Sequence, residues 1–225
     1  MPLPEDRPGG FSEAERAFLS RYVGEDFEAV LAREGLARPS AVATVTGPLF
    51  PPPGPAGEAP ADGAAGRPAP DDDEALEEAL RRAEEFKLVG FRLAGQELSV
   101  PIAQVQEVLR ALPVTRLPAA PAHVKGMLNL RGRIVPMIDL AGVMDFSAAR
   151  GEDRFIIVCR CRGMLLGLSV ESLTTMHQAR GQDVEWGLEA RVGVASDLVS
   201  GLLKVGDALV AILSVDSLFQ KVLKS

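Results

Sequence analysis

Beyond Phe86 the apolar residues fall in short runs with a period of two, each closed by a glycine-containing turn. That rhythm constrains the chain more than any other feature, because it suits strands joined by tight turns and leaves no room for long helices. FKLVGFRL, then Gly95-Gln96, then ELSVPI, predicts a hairpin. VQEVLR, VKGMLNL, RIVPMIDL, FIIVCRC, MLLGLSV, VSGLLKV and ALVAILSV predict further strands, with turns at Arg131-Gly132, Arg162-Gly163 and Gly206-Asp207. About nine short strands so connected imply an all-β barrel or sandwich. Val215 to Leu223 closes the chain as a short helix.

The strand region repeats itself. GMLNLRGRIVPMIDL (Gly126–Leu140), moved along the chain, falls on GLLKVGDALVAILSV (Gly201–Val215), with glycine on glycine and apolar on apolar at nine positions. GQELSVPI from Gly95 falls in the same manner on GMLLGLSV from Gly163, where the glycine and the alternate apolar residues agree. Two related small barrels are expected, with their seam a natural place for a binding groove. The second copy has Gly206-Asp207 where the first has Arg131-Gly132, so the hairpin frame does not itself require the arginines.

The chain before Phe86 is of another kind. Ser12 followed by Glu15 is a capping box that predicts a helix start, and Phe11, Phe18, Tyr22, Phe27, Val30 and Leu31 supply apolar positions for a helical hairpin ending near Gly35. Such a hairpin is too small to bury a core alone and needs a partner. Its aromatic set reads as exposed, which suggests a second recognition element with a partner of its own, unidentified. Between Gly47 and Pro70, 13 of 24 residues are Pro or Gly and six more are Ala, a composition that predicts a flexible tether. DDDEALEEALRRAEE (Asp71–Glu85) has acids in its first turn and Leu76, Ala79, Leu80 and Ala83 on one stripe, as a helix leading into the body would. The expected division is a helical segment over 1–36, a disordered linker over 37–72, an acidic helix over 73–85 and an all-β domain over 86–225.

Charge follows the same division. Residues 1–85 carry 8 Lys/Arg against 18 Asp/Glu, and residues 86–225 carry 16 against 13. The body has no dense cationic face, so nucleic acid is a poor partner. No apolar run approaches the roughly 20 residues that span a bilayer, and membrane insertion is not expected. The only cysteines, Cys159 and Cys161, are spaced to share one face of a strand, which does not suit a disulfide between them and points to a reducing, cytoplasmic setting.

No catalytic constellation assembles. His123 and His177 lack acidic or thiol neighbours at a metal-ligand spacing, CxC is not the redox CxxC, and no nucleophile elbow, phosphate loop or dinucleotide fingerprint is present. No enzyme, cofactor or metal is expected. Trp186, within DVEWGLE, reads first as a loop anchor and second as a partner anchor. What survives is a set of polar residues among apolar strand positions: Glu107 between Val105 and Val108, and Arg131 and Arg133 around Gly132. Held on a fixed turn, an arginine loses little entropy on meeting a carboxylate, so a binding module is the best class.

VQEVLRALPVTRLPAAPAHVKGMLNLRGRIVPMIDL (Val105–Leu140) resembles the signature of the CheW family, the coupling proteins of bacterial chemosensory arrays. The VxEV run, TRLP with a second proline segment and the VKGxxNLRGxxxPxxDL block stand in the family's order, and a looser likeness runs from Phe86 to Leu223. The resemblance implies a pair of interlocked five-stranded SH3-like barrels and no catalysis. It implies a cytoplasmic adaptor at membrane-associated receptor arrays, joining the cytoplasmic tip of methyl-accepting chemotaxis receptors to the regulatory domain of a CheA-type histidine kinase. By position it assigns Val105, Glu107, Val108, Gly126, Asn129, Arg131 and Gly132 to partner contact or to shaping the contact surface, with an internal Glu107–Arg131 pair as the alternative for those two. A CheW-like module serving a non-flagellar output such as surface motility or type IV pili, or one binding another partner through its arm, is the second reading. The chain before Phe86 exceeds the family's usual extent, and His177–Asp197 lacks its usual paired prolines.

Overall fold

The period-two runs form strands where expected, and two more strands join them. The structure, a computed structural model, describes residues 13–24, 26–33, 73–117, 120–146, 151–187, 196–206 and 208–224. Three helices come first: α1 (Glu13–Tyr22), α2 (Phe27–Arg33) and α3 (Asp73–Arg82). Then follow β1 (Phe86–Leu93), β2 (Gln96–Pro101), β3 (Val105–Arg110), β4 (Val124–Leu130), β5 (Arg133–Ile138) and the single turn α4 (Leu140–Val143). β6 (Phe155–Cys161), β7 (Met164–Val170), β8 (Ser172–Ala179), β9 (Val184–Trp186), β10 (Val199–Val205), β11 (Ala208–Leu213) and α5 (Val215–Lys224) complete the order. β8 and β9 are the two strands not expected from sequence. The expected tether, Phe11 and Ser12 lie outside the described residues.

The strands make two sheets, β8-β1-β2-β11-β10-β9 and β3-β6-β7-β5-β4. Each chain crossing exchanges a strand. β3 follows the β1–β2 hairpin but pairs with β6 of the other sheet, and β8 follows the β6–β7 hairpin but pairs with β1. This exchange interlocks the two halves. The repeat explains the match between sheets: β10–β11 is laid out as β4–β5, with a register shift at Val199/Gly201 where the first copy shifts at Val124/Gly126. The second strand of each hairpin then pairs in parallel, Ile212 with Ser99 and Met137 with Gly167.

Alternating side chains divide among three apolar clusters. Ile157, Cys159 and Cys161 of β6 face a large cluster that both sheets share, together with Phe91, Leu98, Val100, Leu166 and Leu168. Ile156 and Val158 face away, into a private core with Leu128, Val135, Met137 and Leu165. The six-stranded sheet has the equivalent private core in Leu88, Leu203 and Ile212, with Phe86, Ala179 and Val184. Because β6 and β7 are covered on both faces, they read as solid apolar runs rather than as alternation.

Three of the hairpin turns share one geometry, and Asp207 of the expected Gly206-Asp207 turn lies outside the described residues. Ala94 and Gly95 have φ of 49° and 78°, Arg131 and Gly132 of 53° and 81°, and Arg162 and Gly163 of 47° and 73°. Positive φ at both central residues is the primed turn whose twist matches that of the flanking strands. The first turn is thus Ala94-Gly95, one residue earlier than expected, because glycine is best tolerated at the second of these positions and Gln96 begins β2.

The N-terminal hairpin is not displayed to solvent. Phe18, Leu19, Tyr22 and Leu31 are buried in the same shared cluster as Leu218, Phe219 and Val222 of α5, while Phe27 is half-buried. The expectation of an exposed aromatic set is therefore corrected for Phe18 and Tyr22: the body supplies the partner surface that a short hairpin needs. α3 likewise docks, placing Leu80, with Leu76 and Ala83 beside it, on the private core of the six-stranded sheet. Ala79, read as part of that stripe, is exposed.

Candidate functional site

The seven candidate residues lie on β3, on β4 and on the β4–β5 turn of the five-stranded sheet. β3 and β4 are its two edges, and a charge pair spans them: Arg131 Nη2 donates to Glu107 Oε2 at 3.0 Å. Arg131 is 64% exposed and Glu107 19%, so the pair lies on the surface with the carboxylate more sheltered. The internal pairing left open from the sequence is thus present. An exposed pair of this kind adds little stability, and its evident effect is to hold the guanidinium in one place.

Two of the seven have clear backbone reasons. Gly126 has φ of 146°, and a Cβ there would collide with the Thr115 carbonyl. That approach is needed because Thr115 N donates to Met127 O at 2.9 Å and Met127 N returns a bond at 2.8 Å, stitching the β3–β4 connection to β4. Asn129 Oδ1 accepts from Gly132 N at 2.9 Å and fixes the Arg131-Gly132 turn from below. Gly132 takes the left-handed conformation with open space around it. Val105 and Val108 are half-buried against the shared cluster, so only part of each side chain is presented.

Residues that sequence reasoning misses emerge from a comparison of the two halves. The private core of the six-stranded sheet is closed by α3 and by Trp186, whose Nε1 donates to Gly181 O at 2.8 Å and whose ring lies 6.3 Å from that of Phe86. Trp186 therefore anchors this core, from the end of strand β9 rather than from a loop as expected. In the five-stranded sheet the equivalent core ends on half-buried Leu109, Val114 and Leu130. Leu112, between the first two in sequence, is 43% exposed. Apolar residues at this opening stand beside the Glu107–Arg131 pair, through Leu130 next to Arg131. The signal for them is the internal repeat: one copy has a plugging helix and the other has none among the described residues.

Several polar groups away from this surface have structural partners. Lys125 Nζ bonds Asp153 and lies 3.6 Å from Asp139, and Arg162 Nε bonds Asp216 at 2.5 Å. His177 contacts Glu97 at 3.2 Å, and the Thr174 hydroxyl donates to the same carboxylate at 2.8 Å. That hydroxyl, and behind it His177, hold the Glu97 carboxyl below its ordinary range. His123 is held below the usual imidazole range by burial. Cys159 and Cys161 are buried thiols that form no disulfide. Among the described residues no group of three or more His, Cys, Asp or Glu gathers as metal ligands would, and no helix is long and apolar enough to cross a membrane.

Residues 87–223 match the family described as the CheW-like domain. The chain is 28% identical over 134 residues to "Chemotaxis protein CheW" of Rhizobium meliloti (strain 1021), covering 59% of this chain and 86% of the relative. It is 38% identical over 72 residues to "Protein PilI" of Pseudomonas aeruginosa (strain PAO1), covering 31% of this chain and 40% of that protein. The crystal structure of the scaffolding protein TtCheW from Thermoanaerobacter tengcongensis superposes with a TM-score of 0.54 at 27% identity, over 57% of this chain and 83% of the other. With two sheets interlocked by strand exchange, an internal repeat that accounts for both, and a family match spanning more than half of its length, the chain belongs to the CheW family.

Proposed function

We propose that this protein is a non-catalytic adaptor of a bacterial chemosensory pathway, which couples methyl-accepting chemotaxis receptors to the regulatory domain of a CheA-type histidine kinase at membrane-associated arrays. The observation that carries the reading is the open apolar end of the five-stranded sheet, Leu109, Leu112, Val114 and Leu130, with the Glu107–Arg131 pair at its margin. An apolar centre beside a positioned arginine is the composition of a protein-contact surface. The charge pair orients the guanidinium before a partner arrives, which lowers the entropy lost on binding. Val105, Glu107, Val108 and Arg131 are offered as contact residues, with Gly126, Asn129 and Gly132 shaping the surface beneath them.

The test is titration of the host's kinase regulatory domain and of a receptor-tip peptide against the full chain. Arg131→Glu is expected to weaken at least one of them by about tenfold, roughly 1.4 kcal/mol, without changing the fold. The double exchange Glu107→Arg with Arg131→Glu separates two causes. If the pair serves only the fold's geometry, the exchange restores binding; if Arg131 meets a partner carboxylate, it does not. Unaltered affinity for both partners in the single variant overturns the assignment.

One observation favours a second reading. The 38% identity to Protein PilI exceeds the 28% to the Rhizobium chemotaxis protein, over a shorter span, and a non-flagellar output such as surface motility would use the same surface with another kinase. Capture of one host kinase in preference to the others by the full chain decides between the two.

A further inference from the structure

The α1–α2 hairpin sits on the body in a way that differs from an ordinary core element. Its buried side chains follow helical spacing: Glu15 faces Arg133 at 3.9 Å, Phe18 and Leu19 enter the shared cluster, and Tyr22 lies beneath Phe18 with ring centroids 4.7 Å apart. Tyr22 Oη donates to the Val222 carbonyl near the end of α5 at 2.6 Å. The Tyr22 bond and the long Glu15–Arg133 pair thus fix α1 at its two ends, and apolar burial fills the seat between them. Neither sheet takes a strand from the hairpin. The family match begins at residue 87, so the hairpin lies outside the part of the chain that the family shares.

We propose that the α1–α2 hairpin is a tethered, detachable ligand of a helix-docking seat on the CheW-like body. The seat lies between α5 and the β4–β5 turn. It takes an amphipathic helix with a carboxylate at one position, large apolar residues three and four positions on, and an aromatic hydroxyl at the seventh. Arg133 selects the carboxylate, the shared cluster receives the apolar pair, and the Val222 carbonyl accepts the hydroxyl. Residues 34–72 separate the hairpin from α3 in sequence, and a flexible chain of 39 residues has an end-to-end distance of roughly 31 to 37 Å. Linkage on this scale gives an effective concentration in the millimolar range. An external helix must therefore compete with a local ligand already in place, and its apparent affinity falls in proportion to the fraction of seats left open.

The experiment uses the full chain with a protease site inserted within residues 51–60 and a fluorescent peptide spanning residues 11–35 as the probe. After cleavage and dilution to nanomolar concentration the hairpin is expected to separate on gel filtration while the body keeps its Trp186 emission and its unfolding transition. The freed body is expected to bind the peptide with a Kd of about 10 μM, about 100-fold tighter than the uncut chain does, as a local competitor at about 1 mM dictates. Peptides with Phe18→Ala or Tyr22→Ala are expected to lose at least tenfold. Three results overturn the proposal: a body that unfolds when the hairpin leaves, a hairpin that stays bound at nanomolar dilution, or equal peptide binding before and after cleavage. Hydrogen exchange on the uncut chain gives a second measurement independent of cleavage. Amides of α1 and α2 are expected to exchange by local opening well before those of β6 and β7, and equal protection overturns the proposal as firmly.

Discussion

At the scale of single residues, Gly126 and Gly132 stand on one hairpin and require glycine for different reasons. Gly132 has open space where a side chain would go, so Gly132→Ala meets only the left-handed backbone penalty of roughly 1–2 kcal/mol. Gly126 combines positive φ with the Thr115 carbonyl against its missing Cβ, and Gly126→Ala is expected to destabilise by about 3 kcal/mol or more, breaking the paired Thr115–Met127 bonds. Urea unfolding of both variants checks the order, and equal losses refute the clash. His123 supplies a pH-dependent counterpart. Burial holds its folded pKa below the ordinary value of 6.5, so the unfolded chain takes up the proton first. Its contribution is complete above about pH 6.5 and is lost as pH falls from there through the lower folded value. A urea midpoint that drops between pH 7.5 and 5.5 is expected, with a smaller drop in His123→Asn. Of these features the Arg131-Gly132 turn was legible in the sequence, and the Glu107–Arg131 pair only as one of two alternatives, because Glu107 lies on the far edge of a sheet whose closure brings the two together.

At the scale of elements, the three primed turns share a backbone but not its preferred residues. Ala94 holds φ of 49° with no side-chain group to support it, and asparagine tolerates that region far better. Ala94→Asn is expected to raise stability by about 0.5–1 kcal/mol, since Ala94 contributes only its backbone N–H, donated to Glu171 Oε1 at 2.9 Å. A thermal midpoint at or below the parent value counts against this. Hairpins were legible in the sequence because their turn residues and alternation are local. β8, SLTTMHQA, was not: it is an edge strand whose side chains are mostly half-buried or exposed, and only pairing with β1 across the strand exchange makes it one. The helices show the same limit. Composition located α1 and α2, but whether Phe18 and Tyr22 face solvent depends on α5, at the opposite end of the sequence.

At the scale of the whole molecule, strand exchange determines how the halves share stability. β3 leaves the six-stranded half to complete the five-stranded one, and β8 does the reverse, so neither sheet is whole without chain from the other. The shared cluster adds Phe91 and Val100 from one sheet to Ile157 and Leu168 from the other. Such a body has no plane along which one barrel can unfold while the other stays. Trp186 reports on the six-stranded half alone, since its ring packs with Phe86 and Gly201 on that sheet, whereas far-ultraviolet circular dichroism reports on both. The two signals are expected to trace one urea transition. Gly126→Ala, made in the five-stranded half, is expected to shift the Trp186 transition by as much as the dichroism transition. A variant in which the Trp186 midpoint stays at its parent value while the dichroism splits into two steps would show that the barrels unfold separately, and that the exchanged strands join them without coupling them.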